Sequence, residues 1–244
     1  MKSRKAPEYR PRLDARRIRA FQVELLTWFR QNGRDLPWRR TRDPYEILVS
    51  EVMLQQTQVE RVREYYTRFL TEYPTVRDLA AARPARVRES WDGLGYYARA
   101  RNLHAAARSI VGRHGGSFPR QVKDLQALPG VGRYTAGAVA SFAFGEPAPI
   151  LDTNIRRVLS RIFVRRRSAR PADVDRRLWA LAKAVIPDSE VWTMNQALMD
   201  FGATMCTARK PKCSVCSLQG LCAFYERRQS ADENNTRCPG EKMK

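Results

Sequence analysis

The sequence predicts an all-α protein of two helical domains, on three observations. Apolar residues recur at the three- and four-residue spacing of amphipathic helices through most of the chain. No segment alternates apolar and polar residues in the manner of a half-buried strand. The chain has 244 residues, of which 43% are hydrophobic, and this is enough for two separate cores.

The first helix is predicted over residues 14–32. Phe21 and Leu25 lie there at helical spacing with other apolar residues, and Gly33 follows as a typical helix end. Residues 1–11 are basic and polar, so we expect them to form a flexible arm.

The next helix is predicted to start with Asp43 as N-cap and Pro44 in the first helical position. The stretch "VRRRSARPADVDRR" (164–177) predicts an exposed loop that enters a helix at Pro171. Residues 226–244 are polar and without period, which indicates a second flexible tail. Further helices are expected over 59–72, 76–82, 84–92, 96–113, 121–128 and 133–144.

The charge of the chain predicts a polyanionic partner. There are 45 Lys and Arg against 25 Asp and Glu, a formal net charge of +20, and nucleic acid is the commonest partner for such an excess. No run approaches the roughly 18 apolar residues of a membrane span, so we expect no membrane association. The basic N-terminus is not followed by an apolar segment, which argues against a signal peptide and for a cytoplasmic location.

The segment "LPGVG" is the first candidate binding element. It joins the predicted helices 121–128 and 133–144, and Gly130 and Gly132 allow positive φ and close backbone approach. Backbone N–H groups of such a turn, those of Gly130, Val131 and Gly132, can bind a phosphate without reading sequence. A simple tight turn between two helices is the alternative.

Longer motifs carry a family resemblance. "LPGVGRYTAGAVASFAFG" followed by "PILDTNIRRVL" resembles the helix-hairpin-helix signature of the endonuclease III-like DNA glycosylase superfamily, and the resemblance covers residues 14–225. Within it the chain most resembles the adenine-specific MutY family, through "LPWRRTRDPYEILVSEVMLQQTQVERV", "WDGLGYYARARNLHAAA" and "MNQALMDFGATMC".

The resemblance implies an architecture and a function. The architecture is a six-helix barrel domain with the hairpin over 36–146, and an iron–sulfur cluster domain formed by 12–35 plus 147–225. DNA would bind in a cleft between the two. The implied function is base excision repair, in which a monomeric enzyme removes adenine mispaired with guanine or 8-oxoguanine in double-stranded DNA.

Tyr134 bears on the type of glycosylase. In the bifunctional relatives of the endonuclease III type, a lysine at this place attacks the sugar and leads to strand cleavage. A phenol cannot form an imine, so Tyr134 predicts a monofunctional enzyme that leaves the strand intact. A packing role for Tyr134 is compatible with the same prediction.

Two carboxylates are the catalytic candidates. Glu51 lies in "ILVSEVML", where burial would keep a proton available for the leaving base. Asp152 precedes a predicted helix, whose N-terminus favours the ionised form that stabilises a sugar cation. The resemblance places the family's acid at Glu51 and its essential aspartate at Asp152, facing each other across the cleft, with Asn154 beside it. On spacing alone, Glu51 could be a surface residue and Asp152 only a helix cap.

The remaining site residues are implied by the resemblance. Gln56 and Tyr96, which we call the wedge pair, would fill the gap left by the flipped base. The base pocket would be formed by Arg34, Trp38, Arg39, Leu54 and Gln196. Arg99 and Arg101, with His104, form a basic segment suited to phosphates, with a solvated helical face as the alternative.

Four cysteines predict a metal site. Cys206, Cys213, Cys216 and Cys222 have the spacing C-x6-C-x2-C-x5-C, and zinc and a [4Fe–4S] cluster both accept four thiolates. The spacing resembles the cluster loop of endonuclease III and MutY, which implies a structural [4Fe–4S] cluster. Between the first two cysteines, Arg209, Lys210 and Lys212 offer phosphate contacts, and Cys238 in the tail is expected to be a free thiol.

Two other functions stay open at this point. Members of the MutY family usually continue into a second domain that reads 8-oxoguanine, whereas this chain ends 22 residues after Cys222. The short mismatch thymine glycosylases share the fold and the early ending, so thymine or uracil opposite guanine is the rival substrate. A DNA-binding cluster protein without catalysis would not need Glu51 or Asp152.

Overall fold

The computed structural model describes residues 14–164 and 170–236, with the side chains of 231–236 left out of the description. The expected basic arm over 1–11, the middle of the predicted loop, Cys238 and the end of the expected tail lie outside these residues. In the described ranges the chain is helical and contains no strand, which confirms the all-α prediction.

The described residues form twelve α-helices and a few shorter helical turns. The helices are α1 (Ala15–Asn32), α2 (Pro44–Met53), α3 (Val59–Glu72), α4 (Val76–Ala81), α5 (Pro84–Ser90), α6 (Ala98–His114), α7 (Val122–Gln126), α8 (Arg133–Phe144), α9 (Thr153–Phe163), α10 (Pro171–Val185), α11 (Val191–Asp200) and α12 (Ala223–Thr236). None of the helices in these residues combines the length and the apolar character needed to cross a lipid bilayer.

The chain divides into two compact units. One runs without interruption over Arg34–Ile150, and the other combines the chain up to Gly33 with the chain from Leu151 onward. The sequence led us to expect the central domain over 36–146. Within Arg34–Ile150, all of which is described, the structure has seven helices, among them the short α4 and α7, where a six-helix domain was expected.

The central unit is built around α2. All but two of the ten residues of α2 are buried, and the helix packs against α3, α6 and α8. Trp91 and Phe69 lie edge to face at 5.7 Å between ring centroids and are almost fully buried beside these helices. A helix that is buried along most of its length holds the polar side chains that it carries in fixed positions.

The other unit joins the first helix to the last four. Asp14 caps α1 by accepting a hydrogen bond from the Arg16 N–H at 2.9 Å, as the Asp-initiated pattern favours. The buried face of α1 packs against α10 and α11, and Phe21 meets Phe163 at the end of α9 edge to face at 5.1 Å. α9 thereby becomes the central helix to which the cysteine segment is attached.

The expected flexible tail over 226–244 is wrong in its first part, because residues 226–236 continue α12. The helix is attached to α9 at its start, where the Arg161 guanidinium lies 4.8 Å from the centre of the Phe224 ring. Hydrogen bonds one turn apart, such as Gln229 to the Tyr225 hydroxyl at 3.1 Å, extend it. The polar composition of this segment did not indicate a helix, because the contact that attaches it to α9 lies at its first turn.

Candidate active site and cysteine cluster

Glu51 lies near the end of α2 in an apolar environment. Its residue is 4% exposed, and neighbours such as Met53 are fully buried. Asp43 caps the helix with a 2.7 Å hydrogen bond from the Tyr45 N–H, and Pro44 opens it, as predicted. A carboxyl group held in such an enclosed, rigid position suits general acid catalysis better than a surface glutamate would.

Asp152 is the N-cap of α9. Its Oδ1 accepts a hydrogen bond from the Ile155 N–H at 2.7 Å, and its Oδ2 accepts one from Asn154 Nδ2 at 3.0 Å. We expected the helix N-terminus to favour the ionised form. Partial burial outweighs these hydrogen bonds and the nearby Arg157, and it raises the pKa of the Asp152 carboxyl above its ordinary value.

A chain of hydrogen bonds connects Asp152 to the first cysteine. Arg157 Nη2 donates to Asn154 Oδ1 at 2.7 Å, and Arg157 Nε donates to the carbonyl of Cys206 at 2.8 Å. The same Nη2 donates to the carbonyl of Gly202 at 2.6 Å. Asn154, predicted as a catalytic residue, therefore bridges Asp152 and Arg157, whereas the sequence analysis did not identify Arg157.

The "LPGVG" hairpin lies between α7 and α8, as the sequence predicted. Gly130 has φ +72°, and a Cβ atom there would lie 2.5 Å from the Cβ of Asn102 on α6. The Val131 N–H donates to the Leu128 carbonyl at 3.2 Å, so it closes the turn and is a wrong prediction as a phosphate donor. Gly130 and Gly132 are exposed, and Gly132 is the N-cap residue of α8.

The wedge pair stands out in backbone conformation and exposure. Gln56 has φ +57° and Tyr96 has φ +50°, and Tyr96 is 61% exposed, unusual for an aromatic residue. Only one further non-glycine residue in the described ranges has positive φ. Such strain is typical of functional positions.

Arg99 was predicted to contact phosphate, but its side chain is not accessible to one. It is 8% exposed, and its guanidinium donates to main-chain carbonyl groups, so the prediction is wrong. His104 is also buried, at 6% exposed. Arg101 points from the same helix and is exposed, so it alone of the three stays accessible to a phosphate.

The predicted base-pocket residues are divided between the units. Trp38 is buried against Tyr66, with ring centroids 5.6 Å apart, and Arg39 donates to the Arg34 carbonyl at 2.8 Å. Leu54 follows α2 as its C-terminal cap residue. These residues belong to the central unit, whereas Gln196 is buried on α11 of the other unit.

Tyr134 occupies the second position of α8 and is partly buried. The helix reads "RYTAGAVASFAF", so no lysine amine is present along it. Without an amine, α8 has no group able to form an imine with the sugar.

The four predicted cysteines line one pocket. They are partly buried and form no disulfide, and their neighbours in the pocket include Phe201, Leu218 and Phe224. Arg161 Nη1 lies 3.4 Å from Cys206 Sγ and donates to the Thr207 carbonyl at 2.7 Å. Arg157 and Arg161, four residues apart on α9, both face this segment, a helical spacing that could have revealed them in the sequence.

Four cysteine thiols that line one pocket fit a [4Fe–4S] cluster, and by donor type alone they also fit a zinc ion. Burial raises the pKa of the Cys206 thiol, against the opposing Arg161, and raises that of Cys216 to about 11. Cluster binding must therefore displace protons from these thiols.

Arg209, Lys210 and Lys212 are all exposed beside this pocket. Their exposure leaves the predicted phosphate contacts sterically open. The segment thus combines partly buried cysteines with an exposed basic surface.

Comparison with known families agrees with this architecture. Residues 49–184 match the HhH-GPD superfamily of base excision DNA repair proteins, and residues 206–222 match the iron–sulfur binding domain of endonuclease III. The chain belongs to the HhH-GPD superfamily, and its four cysteines are those of a [4Fe–4S] segment.

Among individual proteins, adenine DNA glycosylases are strongly similar. The human adenine DNA glycosylase is 46% identical over 225 residues, which are 88% of this chain and 41% of that protein. The adenine DNA glycosylase of Mycolicibacterium smegmatis is 46% identical over 197 residues, 80% of this chain and 67% of that protein. The chain thus spans less than half the length of its human relative.

Solved structures of other branches share the fold. A thermostable thymine-DNA glycosylase has a TM-score of 0.79 at 34% identity, covering 87% of this chain and 98% of that one. An endonuclease III in a non-covalent DNA complex has a TM-score of 0.75 at 28% identity, covering 89% and 99%.

Proposed function

We propose that the chain is a monofunctional DNA glycosylase that releases adenine mispaired with guanine or 8-oxoguanine. The observation that carries this is a buried acid, Glu51, in the same central unit as the exposed wedge pair, in a chain 46% identical to adenine DNA glycosylases. Double-stranded DNA is the partner, and the net charge of +20 supports it. The protein acts as a monomer.

The reaction is a hydrolysis in two steps. Glu51 donates its proton to a ring nitrogen of the adenine, and the glycosidic bond breaks with its electron pair going to the base. The sugar becomes an oxocarbenium-like cation, stabilised by the Asp152 carboxylate, which Asn154 orients. Water then adds its hydroxide to the sugar carbon and gives its proton to the Glu51 carboxylate, which restores the acid.

The cluster has a structural part in this mechanism. When bound, it ties four cysteines into one segment, and Arg157 connects that segment to the Asn154 amide. The strand stays intact because Tyr134 supplies no amine.

Release of thymine or uracil opposite guanine is the second candidate. It is favoured by one observation, the thymine-DNA glycosylase structure of which this chain covers 98%. A pocket for a flipped base is set by few contacts, so the fold alone does not choose the base.

Single-turnover base release from four duplexes tests the proposal: adenine opposite 8-oxoguanine, adenine opposite guanine, thymine opposite guanine and uracil opposite guanine. We expect release of adenine only. Borohydride should trap no covalent adduct between the enzyme and the DNA. Glu51→Gln should reduce the rate at least about a thousandfold, whereas Glu64→Gln, on the exposed face of α3, should not. Release of thymine or uracil instead would select the second candidate, and unimpaired Glu51→Gln would exclude the mechanism.

A further inference from the structure

Arg99 is a buried cation whose polar contacts are unusual. Within the described part of the chain, every hydrogen bond of its guanidinium goes to a main-chain carbonyl, and none goes to a carboxylate. The acceptors, at 2.6–3.1 Å, are Val52, Met53, Gln55, Leu94 and Gly95. A desolvated charge is retained only where such contacts compensate it.

These acceptors belong to two separate segments that lead into the wedge pair: the end of α2 with the turn after it, and the turn that follows α5. Gln55 directly precedes Gln56, and its carbonyl accepts from Arg99 Nη1 at 2.6 Å. Gly95 directly precedes Tyr96, and its carbonyl accepts from Nη2 at 3.1 Å. One guanidinium therefore fixes the peptide groups that directly precede Gln56 and Tyr96, the two residues with positive φ.

Arg99 also contacts Tyr96 itself. Its Cζ lies 5.5 Å from the centre of the Tyr96 ring, and its own backbone N–H donates to the Tyr96 carbonyl at 2.9 Å. On the other side, the guanidinium lies 5.5 Å from the buried Trp91 ring. The planar fork of arginine can serve all these contacts at once, whereas the point charge of a lysine cannot.

Left-handed backbone is unfavourable for a glutamine or a tyrosine, so it persists only where the surroundings impose it. Neither member of the wedge pair is glycine or asparagine, the residues that adopt positive φ most easily. The strain is therefore offset by contacts elsewhere, and the hydrogen bonds of Arg99 reach both positions.

We propose that Arg99 is a positioning residue that holds Gln56 and Tyr96 together in their strained, exposed conformation before DNA arrives. This inference rests on the proposed function, since it assigns the pair to opening the duplex. Arg99 touches neither base nor sugar in this role. It lowers the cost of inserting the pair, so the step that depends on it is base extrusion rather than bond cleavage or phosphate binding.

The test measures extrusion separately from chemistry. A duplex carries adenine opposite 8-oxoguanine with 2-aminopurine as the 3′ neighbour of the adenine, and stopped-flow fluorescence follows its unstacking. Arg99→Lys should slow unstacking at least about tenfold and leave affinity for a fully matched duplex within about twofold, because the charge is kept. The matched control is Arg108→Lys, an exposed arginine on the same helix, which should behave as the unchanged protein.

A stability cycle distinguishes positioning from general support. Glycine adopts positive φ without strain, so Gln56→Gly should recover part of the melting temperature that Arg99→Lys loses. It should not recover unstacking, since the amide is gone. If Arg99→Lys does not fold, the double variant should still fold. The proposal would be overturned if the changes in melting temperature of Arg99→Lys and Gln56→Gly simply added in the double variant. It would also be overturned if the double variant were as unstable as Arg99→Lys.

Adenine release is scored on the same samples. Unstacking without release by the unchanged protein would contradict the proposed function and leave the Arg99 comparison valid. Release with equal unstacking by the unchanged protein and Arg99→Lys would contradict the role of Arg99 alone. Absence of both in the unchanged protein would contradict both proposals.

Discussion

At the scale of single residues, the Asp152 carboxyl group is both a helix cap and the group proposed to stabilise the sugar cation. It caps α9 through the Ile155 N–H and accepts from Asn154, yet burial raises its pKa. An acid with a raised folded-state pKa binds its proton more tightly in the folded than in the unfolded protein. Its contribution to stability is therefore lost as the pH rises above the ordinary value of 3.8 through the folded-state value.

Asp152→Asn should therefore trade activity for stability. Asparagine is an equally good N-cap and cannot ionise, so the variant should melt at or above the temperature of the unchanged protein at neutral pH. This advantage should shrink as the pH falls toward about 4, while base release is lost at every pH. Thermal melts from pH 4 to 7 check this, with Asp14→Asn at the exposed cap of α1 as control. A variant that melts lower at neutral pH would contradict it.

Residue types could be assigned from the sequence more reliably than residue environments. The apolar neighbours of Glu51 indicated a buried position, although spacing alone left a surface position open, and the residue is buried. Arg99 and Arg101 lie two positions apart in one basic stretch, and the sequence gives both the same phosphate role. Their difference arises from the loops that end at Gln55 and Gly95, whose carbonyls meet Arg99 only after folding.

At the scale of elements, α9 connects the capping carboxylate to the cysteine segment. Arg157 spans the gap, since it donates to the Asn154 side chain and to the Cys206 carbonyl. Removing a donor that satisfies buried carbonyls costs about 1–3 kcal/mol, and here the loss falls on the loop that holds the cluster.

Arg157→Gln should loosen the cysteine segment before it unfolds the protein. The visible absorption of the cluster should decay faster under a chelator or an oxidant, and base release should fall by about tenfold or more as Asn154 loses its partner. Arg156→Gln is the control, since Arg156 pairs on the surface of the same helix with Asp175. Equal cluster lifetimes in the two variants would exclude the bridging role of Arg157.

The hairpin offers a second test at this scale. Gly130→Ala adds a Cβ atom that meets Asn102 at 2.5 Å and also strains a φ of +72°. Gly145→Ala has a similar φ of +68° but open space around it. We expect Gly145→Ala to cost about 1 kcal/mol from backbone strain alone, and Gly130→Ala to cost more and to weaken DNA binding. Denaturant melts and binding titrations check both, and equal losses of stability would contradict the packing argument.

Helix positions were predictable because apolar spacing and caps are local signals. Asp43 is the N-cap of α2 and Pro44 its first residue, as the sequence predicted. The start of the last helix was missed, because its stability comes from Phe224 docking on Arg161 rather than from an apolar stripe of its own. A contact between residues 63 positions apart leaves no periodicity in the sequence.

At the scale of the whole molecule, the 45 Lys and Arg outnumber the 25 Asp and Glu and leave a formal net charge of +20. Exposed cations occur in both units, Arg101 on α6 in one and Arg209 and Lys210 in the cysteine segment of the other. Each neutralised phosphate releases counterions, so binding to DNA should depend steeply on salt.

The slope of that dependence separates two arginines that look alike in the sequence. Arg101→Gln should weaken binding to any duplex and lower the slope of log K against log salt by about 1, as expected for one lost phosphate contact. Arg99→Lys should leave the slope unchanged, because Arg99 is buried on main-chain carbonyls. Titrations of a matched duplex between about 50 and 200 mM salt measure both slopes. Binding that is independent of salt would contradict phosphate contacts by this chain. A slope that changes for Arg99→Lys and not for Arg101→Gln would reverse the assignment of these two residues.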